Sequence, residues 1–243
     1  MQQNRAIIFT HIQKTAGTSV MKELLYRNYA EEEICRFWGG YGIKKLITSD
    51  TSKVKVFTGH FPYGIHHFIK QPCDYFTVLR EPIKRAISHY NFIKNNVGEP
   101  GSENKYKELH QRTPLQEIFD VNSKLNPFKG LLVDNMQTRM LAGYLYYPLP
   151  RDSSILLKKA MNKLEKHYKE FGIQERYKDS MKLIANSFEW EYKTQDLREK
   201  KTVKKDEIDS EEQFVLEQNH KLDLELYNFA VDLFNQRVTR ING

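Results

Sequence analysis

A short apolar run that ends in a lysine-bearing loop constrains this chain more than any other feature. Arg5 to Ile12 is rich in apolar and β-branched residues, which suits a parallel strand buried on both faces. From Val20 to Tyr29 the pattern turns helical, with Val20, Leu24 and Leu25 apolar and Lys22, Glu23 and Arg27 polar. Between them lie Lys14, Thr15, Ala16, Gly17, Thr18 and Ser19, a tight turn of small and hydroxyl residues built around one glycine. Strand, small-residue loop and helix start together make an anion site, because unpaired amides and the helix dipole both face the loop. Lys14 adds a full positive charge there.

The rest of the chain repeats this alternation. Lys53–Thr58 reads as a second strand and Cys73–Leu79 as a third. Pro82 at a first helical position, with Glu81 beside the cap, predicts a helix over Pro82–Asn95. Further helices are expected at Pro114–Val121, Leu131–Ala142, Ser153–Tyr168 and Arg176–Phe188, with a short strand over Glu170–Ile173. A last helix carries Tyr227, Ala230, Val231, Phe234 and Val238 at helical spacing. Trp38–Gly42, Asn96–Thr113 and Lys193–Asp209 read as loops. With no repeat or low-complexity linker, the 243 residues are expected to form one α/β domain, 1–243, with a mostly parallel sheet flanked by helices.

Composition sets outer bounds. The formal charge of +7 and a pI near 9.1 favour an anionic partner, although part of that excess is ordinary solubility. The aromatic residues lack the spacing of a nucleic-acid stacking platform. Cys35 and Cys73 read as reduced. The first strand begins within about five residues, too few for a secretory signal, and no run approaches roughly 18 apolar residues. The expected location is cytoplasmic, without a membrane span.

Ligands on parallel sheets bind at the C-terminal ends of the strands. The first strand leads to Lys14, the second to His60 and the third to Arg80, so these groups are expected to share one edge. A lysine loop, a histidine and an arginine suit an anionic substrate with a general base beside it. The nucleoside-triphosphatase loop needs two glycines separated by four residues and then Lys-Ser/Thr; here the lysine precedes the one glycine. The three-glycine dinucleotide pattern fails as well.

His11-Ile12-Gln13-Lys14-Thr15-Ala16-Gly17-Thr18-Ser19 resembles the 5′-phosphosulfate loop of sulfotransferases that use 3′-phosphoadenosine 5′-phosphosulfate (PAPS), in the heparan sulfate 2-O-/6-O-sulfotransferase branch. Thr77-Val78-Leu79-Arg80-Glu81-Pro82-Ile83-Lys84-Arg85-Ala86-Ile87-Ser88-His89-Tyr90 is similar to that branch's 3′-phosphate motif. Thr58-Gly59-His60-Phe61-Pro62-Tyr63-Gly64 resembles the segment carrying its catalytic histidine, and Asp134–Leu141 and Phe171–Arg176 resemble further family segments.

The resemblance implies a P-loop-like three-layer fold and transfer of a sulfuryl group from PAPS to a hydroxyl, with a carbohydrate as the expected acceptor, 3′,5′-ADP as product and no metal required. It implies His60 and Lys14 as catalytic residues. Lys14, Thr15, Ala16, Gly17, Thr18 and Ser19 would hold the 5′ end of the nucleotide, and Arg80 and Ser88 its 3′-phosphate. Animal glycan-modifying members are anchored in the Golgi, so a chain without an anchor is either a soluble, bacterial-type relative or one from which an anchor was removed. The competing readings are a P-loop nucleotide kinase and a non-enzymatic basic module for anionic glycan or nucleic acid. Several residues stay open: Arg85 as site or solvated helix residue, and His11 as a structural hydrogen-bonder near the site. Asn135 and Arg139 fit ligand contacts or a buried bracket, and Arg198–Lys205 a solvated loop or a cover over the nucleotide.

Overall fold

Alternating apolar faces explain why this chain builds a three-layer sandwich. In the computed structural model, which describes residues 5–37, 46, 48, 50–95, 134–144, 149–150, 152–193 and 209–242, five strands pair side by side. They are β1 (Ala6–Thr10), β2 (Ile34–Phe37), β3 (Val56–Gly59), β4 (Cys73–Leu79) and β5 (Tyr168–Ile173), in the order β2-β3-β1-β4-β5. Every pairing among them is parallel.

Successive strand residues point to opposite faces. Ile7 and Phe9 of β1 enter one core with Val56, Phe76, Val78, Val20, Leu24, Met181 and Ile184. Ile8 enters the other with Phe57, Leu79, Phe171, Met140, Leu164 and Phe234. The first core is covered by α1 (Gly17–Val20), its π-helical extension Met21–Leu25, α2 (Tyr26–Asn28) and α6 (Tyr177–Phe188). The second is covered by α4 (Met136–Ala142), α5 (Ser154–Lys166) and α8 (Lys221–Asn242). The remaining helices are α3 (Pro82–Asn95) and α7 (Ser210–Asn219).

The third strand and the helix after it lie where the sequence puts them. Glu81 accepts from the backbone N–H of Ile83 and Lys84 at 3.1 and 2.7 Å, so it caps α3 ahead of the proline. Boundaries need correction in places, and two elements stand where the sequence marks none. Glu31–Ser52, without a regular pattern in the sequence, contains the edge strand β2. Tyr168 opens β5 instead of ending the preceding helix, which stops at Lys166. Helix α7, unmarked in the sequence reading, starts at a capping box in which Asp209 accepts from Glu212 N at 2.8 Å and Asp209 N donates to the Glu212 carboxylate at 3.1 Å. The loops over Trp38–Gly42 and Asn96–Thr113, the helix over Pro114–Val121, the basic run Arg198–Lys205 and residues 131–133 lie outside the described residues; the helix expected from Leu131 begins only at Met136, because Asn135 at φ 45° is its left-handed N-cap. Among the described residues no helix is long and apolar enough to cross a membrane. Neither Cys35 nor Cys73 forms a disulfide among the described residues.

Arg139 answers part of the open question about its segment. Its guanidinium is fully buried and grips the Asp134 carboxylate, Nε to Oδ1 at 2.9 Å and Nη2 to Oδ2 at 2.7 Å. A buried pair tolerates the loss of one partner badly, because the other charge stays desolvated. Asp134→Asn should therefore lower unfolding stability by about 3–5 kcal/mol, read from the urea midpoint at constant m-value. A loss below about 1 kcal/mol would mean that Arg139 finds its compensation elsewhere.

Candidate active site

The site is assembled by register. Thr10 at the end of β1 lies opposite Gly59 of β3 and Thr77 of β4, so three chains leave the sheet side by side. Thr77 Oγ1 donates to Thr10 O at 2.8 Å and locks the central pair at this edge.

The loop beyond β1 turns sharply at two residues that are not glycine. Lys14 has φ 67° and Ala16 φ 64°, both left-handed, at a cost of about 1–2 kcal/mol each. Such alternation turns successive amides toward one side and builds an anion-binding concavity. Thr15 is buried and its hydroxyl donates to Ile12 O at 2.9 Å, bracing the loop from inside. Ser19 N and Val20 N bond to Ala16 O at 2.9 and 3.1 Å as the helix begins, leaving the earlier amides ahead of any intrahelical carbonyl. Thr18 is exposed and Ser19 half-buried at that helix start.

Gly17 serves a different purpose from the turn expected of it. Its φ is not left-handed; a Cβ there would overlap the His11 ring. The glycine lets the imidazole lie against the helix start.

Arg80 reaches across from the end of β4. Its Nη1 donates to Lys14 O at 3.0 Å, joining motifs 66 residues apart. Its Nε is buried and makes no hydrogen bond among the described residues, so one donor in the fork awaits an acceptor. Burial lowers the pKa of both cations, and Arg80's charge lowers that of Lys14 further. Two like charges held together and partly desolvated favour an anion between them. Lys14 Nζ lies 4.2 Å from the centre of the Phe92 ring. Ser88, half-buried, is one turn before Phe92 on the same row of α3, so that row faces the lysine. Arg85, also on α3, is not solvated: it is fully buried, and its guanidinium makes no hydrogen bond among the described residues.

His60 follows β3 directly. Its Nδ1 lies 2.7 Å from His11 O. A carbonyl can only accept, so Nδ1 carries the proton in the neutral ring and Nε2 holds the lone pair. Burial lowers the His60 pKa, keeping the ring neutral, with the bond to His11 O acting the other way. His11 is pushed down to about 3, first by burial and then by its interactions with neighbouring His60 and Lys14. The two rings are 4.5 Å apart. Among the other histidines, His66 is tied to the Tyr75 hydroxyl at 2.8 Å and His220 is buried with Nδ1 2.8 Å from Leu216 O.

A cleft of about 210 Å³ opens beside His11, lined also by Thr18, Lys22, Arg36, Thr58 and Gly59. Lys22 and Arg36 were not marked by the sequence as site residues. A basic position on a helix and one on an edge strand carry no signal until the fold brings them together.

A model of the Sulfotransferase family matches residues 1–230. The chain belongs to the sulfotransferase family. Heparan-sulfate 6-O-sulfotransferase 2 of Homo sapiens is 25% identical over 95% of this chain, which spans 45% of that protein's length. Heparan-sulfate 6-O-sulfotransferase 1 of Cricetulus griseus is 24% identical over 98% of this chain and 69% of its own. A solved mouse sulfotransferase, SULT7A1 complexed with PAP, aligns at a TM-score of 0.37 and 14% identity over 89% of this chain and 65% of that one.

The electrostatics of this site can be checked without ligand. Followed by NMR, His60 should titrate below the ordinary imidazole value of about 6.5 and His11 near 3. A His60 midpoint at or above about 6.5 would contradict a ring held neutral by burial.

Proposed function

We propose that this chain transfers a sulfuryl group from PAPS to a carbohydrate hydroxyl, working as a single domain across residues 1–243. One observation carries the reading: the bond from Arg80 to the Lys14 carbonyl, which joins two anion-binding elements at one sheet edge. Family membership and relatives named heparan-sulfate 6-O-sulfotransferases support the donor and the glycan acceptor.

The available groups fit a nucleotide with a phosphate at each end. The buried Arg80 Nε is a donor without an acceptor, and an arginine fork suits a terminal phosphate. Ser88 would share that phosphate, while the amides from Lys14 to Ser19, with the hydroxyls of Thr18 and Ser19, would hold the phosphosulfate. Thr15 acts through its backbone, since its hydroxyl braces the loop. When bound, PAPS supplies the sulfuryl group for in-line displacement by the acceptor oxygen.

His60 Nε2 takes the acceptor hydroxyl's proton, and the His11 carbonyl fixes the tautomer that makes Nε2 the base. Lys14 supplies positive charge where negative charge develops on the departing oxygen. The cleft beside His11, with Lys22 and Arg36 in its walls, receives the acceptor.

Calorimetry with adenosine 3′,5′-bisphosphate tests the nucleotide assignment. The wild-type chain should prefer it to AMP and to ATP, and Arg80→Ala should weaken it about 10–100-fold. Absence of that preference in the wild type overturns the function. For the base, His60→Ala should keep nucleotide affinity and lose about 10²–10⁴ in turnover, measured as sulfated product by mass spectrometry. Near-normal turnover would remove His60 from that role.

A further inference from the structure

Behind the anion site lies a buried polar junction that the scheme above leaves unused. Asp223, in the first turn of α8 and fully buried, accepts from Gln137 N at 3.1 Å, Thr138 N at 2.7 Å and Thr138 Oγ1 at 2.8 Å. Its carboxylate thus caps the start of α4. Asn135 returns the contact: its Oδ1 accepts from Asp223 N at 3.1 Å, so each helix caps the other. Asn135 adopts φ 45°, a left-handed backbone that asparagine tolerates better than most residues.

This bracket holds the turn that carries Gln137. The Gln137 side chain is almost fully buried and grips both hydrogen-bonding groups of one main-chain residue. Its Oε1 accepts from Arg80 N at 2.9 Å, and its Nε2 donates to Arg80 O at 2.8 Å. Arg80 stands just past the end of β4, where the strand ladder no longer satisfies its backbone. A side-chain amide matches a peptide's donor and acceptor at once; a carboxylate or an ammonium cannot.

We propose that Gln137 is a positioning residue: it sets the main chain of Arg80, and thereby the reach of the guanidinium toward the ligand's second phosphate. Asn135 and Asp223 hold Gln137 in place for that task. The inference rests on Arg80 meeting the 3′-phosphate, as proposed above. It makes the C-terminal helix part of nucleotide discrimination, although α8 contributes no group to the anion site itself. A purely structural glutamine would support α4 without touching the choice between nucleotides.

The test compares adenosine 3′,5′-bisphosphate with AMP by calorimetry, in the full chain and in Gln137→Met and Gln137→Ala. The methionine keeps the side chain's bulk and removes both bonds, so a variant that stays folded is available even if alanine opens a cavity. Thermal unfolding is followed in parallel. Either folded variant should weaken bisphosphate binding about tenfold and AMP binding less than about twofold, so the ratio of the two Kd values falls about tenfold. An unchanged ratio overturns the proposal, whether both affinities hold or fall together. A wild-type ratio near one overturns the Arg80 assignment itself, which separates failure of the function from failure of Gln137's role.

Discussion

The hydrogen bond from Arg80 Nη1 to the Lys14 carbonyl is the interaction on which the site depends. It forms because β1 and β4 are parallel neighbours with Thr10 opposite Thr77, so their exits are about 4.8 Å apart. Its acceptor belongs to the backbone of a residue in a strained, left-handed conformation. Strain of that kind persists only where surrounding contacts over-determine it. Arg80 from one side, the Thr15 hydroxyl from within and the His11 ring against Gly17 supply those contacts. The loop is shaped before any ligand arrives, and the residues that shape it come from two strands and a helix start.

Charge is divided cleanly at this edge. Lys14 and Arg80 are cations whose burial and mutual repulsion make an anion welcome. The two histidines beside them are kept neutral by burial. His11 then has two tasks, neither requiring it to titrate: its ring packs on the helix start and its carbonyl orients His60. A histidine held neutral beside cations is suited to receive a proton from a substrate hydroxyl. A charged one would add a third like charge and could accept nothing.

The sequence carried the convergence of Lys14, His60 and Arg80, since it needs only parallel strands and their order of exit. Strand β4 and helix α3 were legible to the residue because Glu81 and Pro82 mark the boundary with local chemistry. Strand β2 was not: four residues at the sheet edge, with Cys35 half-buried and Arg36 exposed, have no strong periodicity. Helix α7 offered a legible cap in Asp209 and Glu212 but no apolar stripe behind it; of its residues only Leu216 is buried. The task of Gly17 was hidden for another reason. A glycine in a lysine-bearing loop suggests backbone freedom, whereas the demand here is room for a ring six residues upstream. Gln137 was harder still, because its partner is a main chain 57 residues away and no side-chain pattern records that.

The choice between contact and bracket for Asn135 and Arg139 has a physical answer with a wider consequence. Arg139 is held by Asp134, and Asn135 is held by Asp223, so both side chains face inward. Fully buried Arg85 adds a third polar group here; burial lowers its pKa, and the Asp223 carboxylate nearby acts the other way. Yet Asp223 directs its hydrogen bonds to α4 and leaves Arg85 only the electrostatic interaction. An apolar interior of equal volume is often at least as stable as such a network. It could not, however, grip both backbone groups of Arg80 or cap two helices against each other. What the polar junction supplies is orientation, directly behind the arginine whose orientation the nucleotide reading requires.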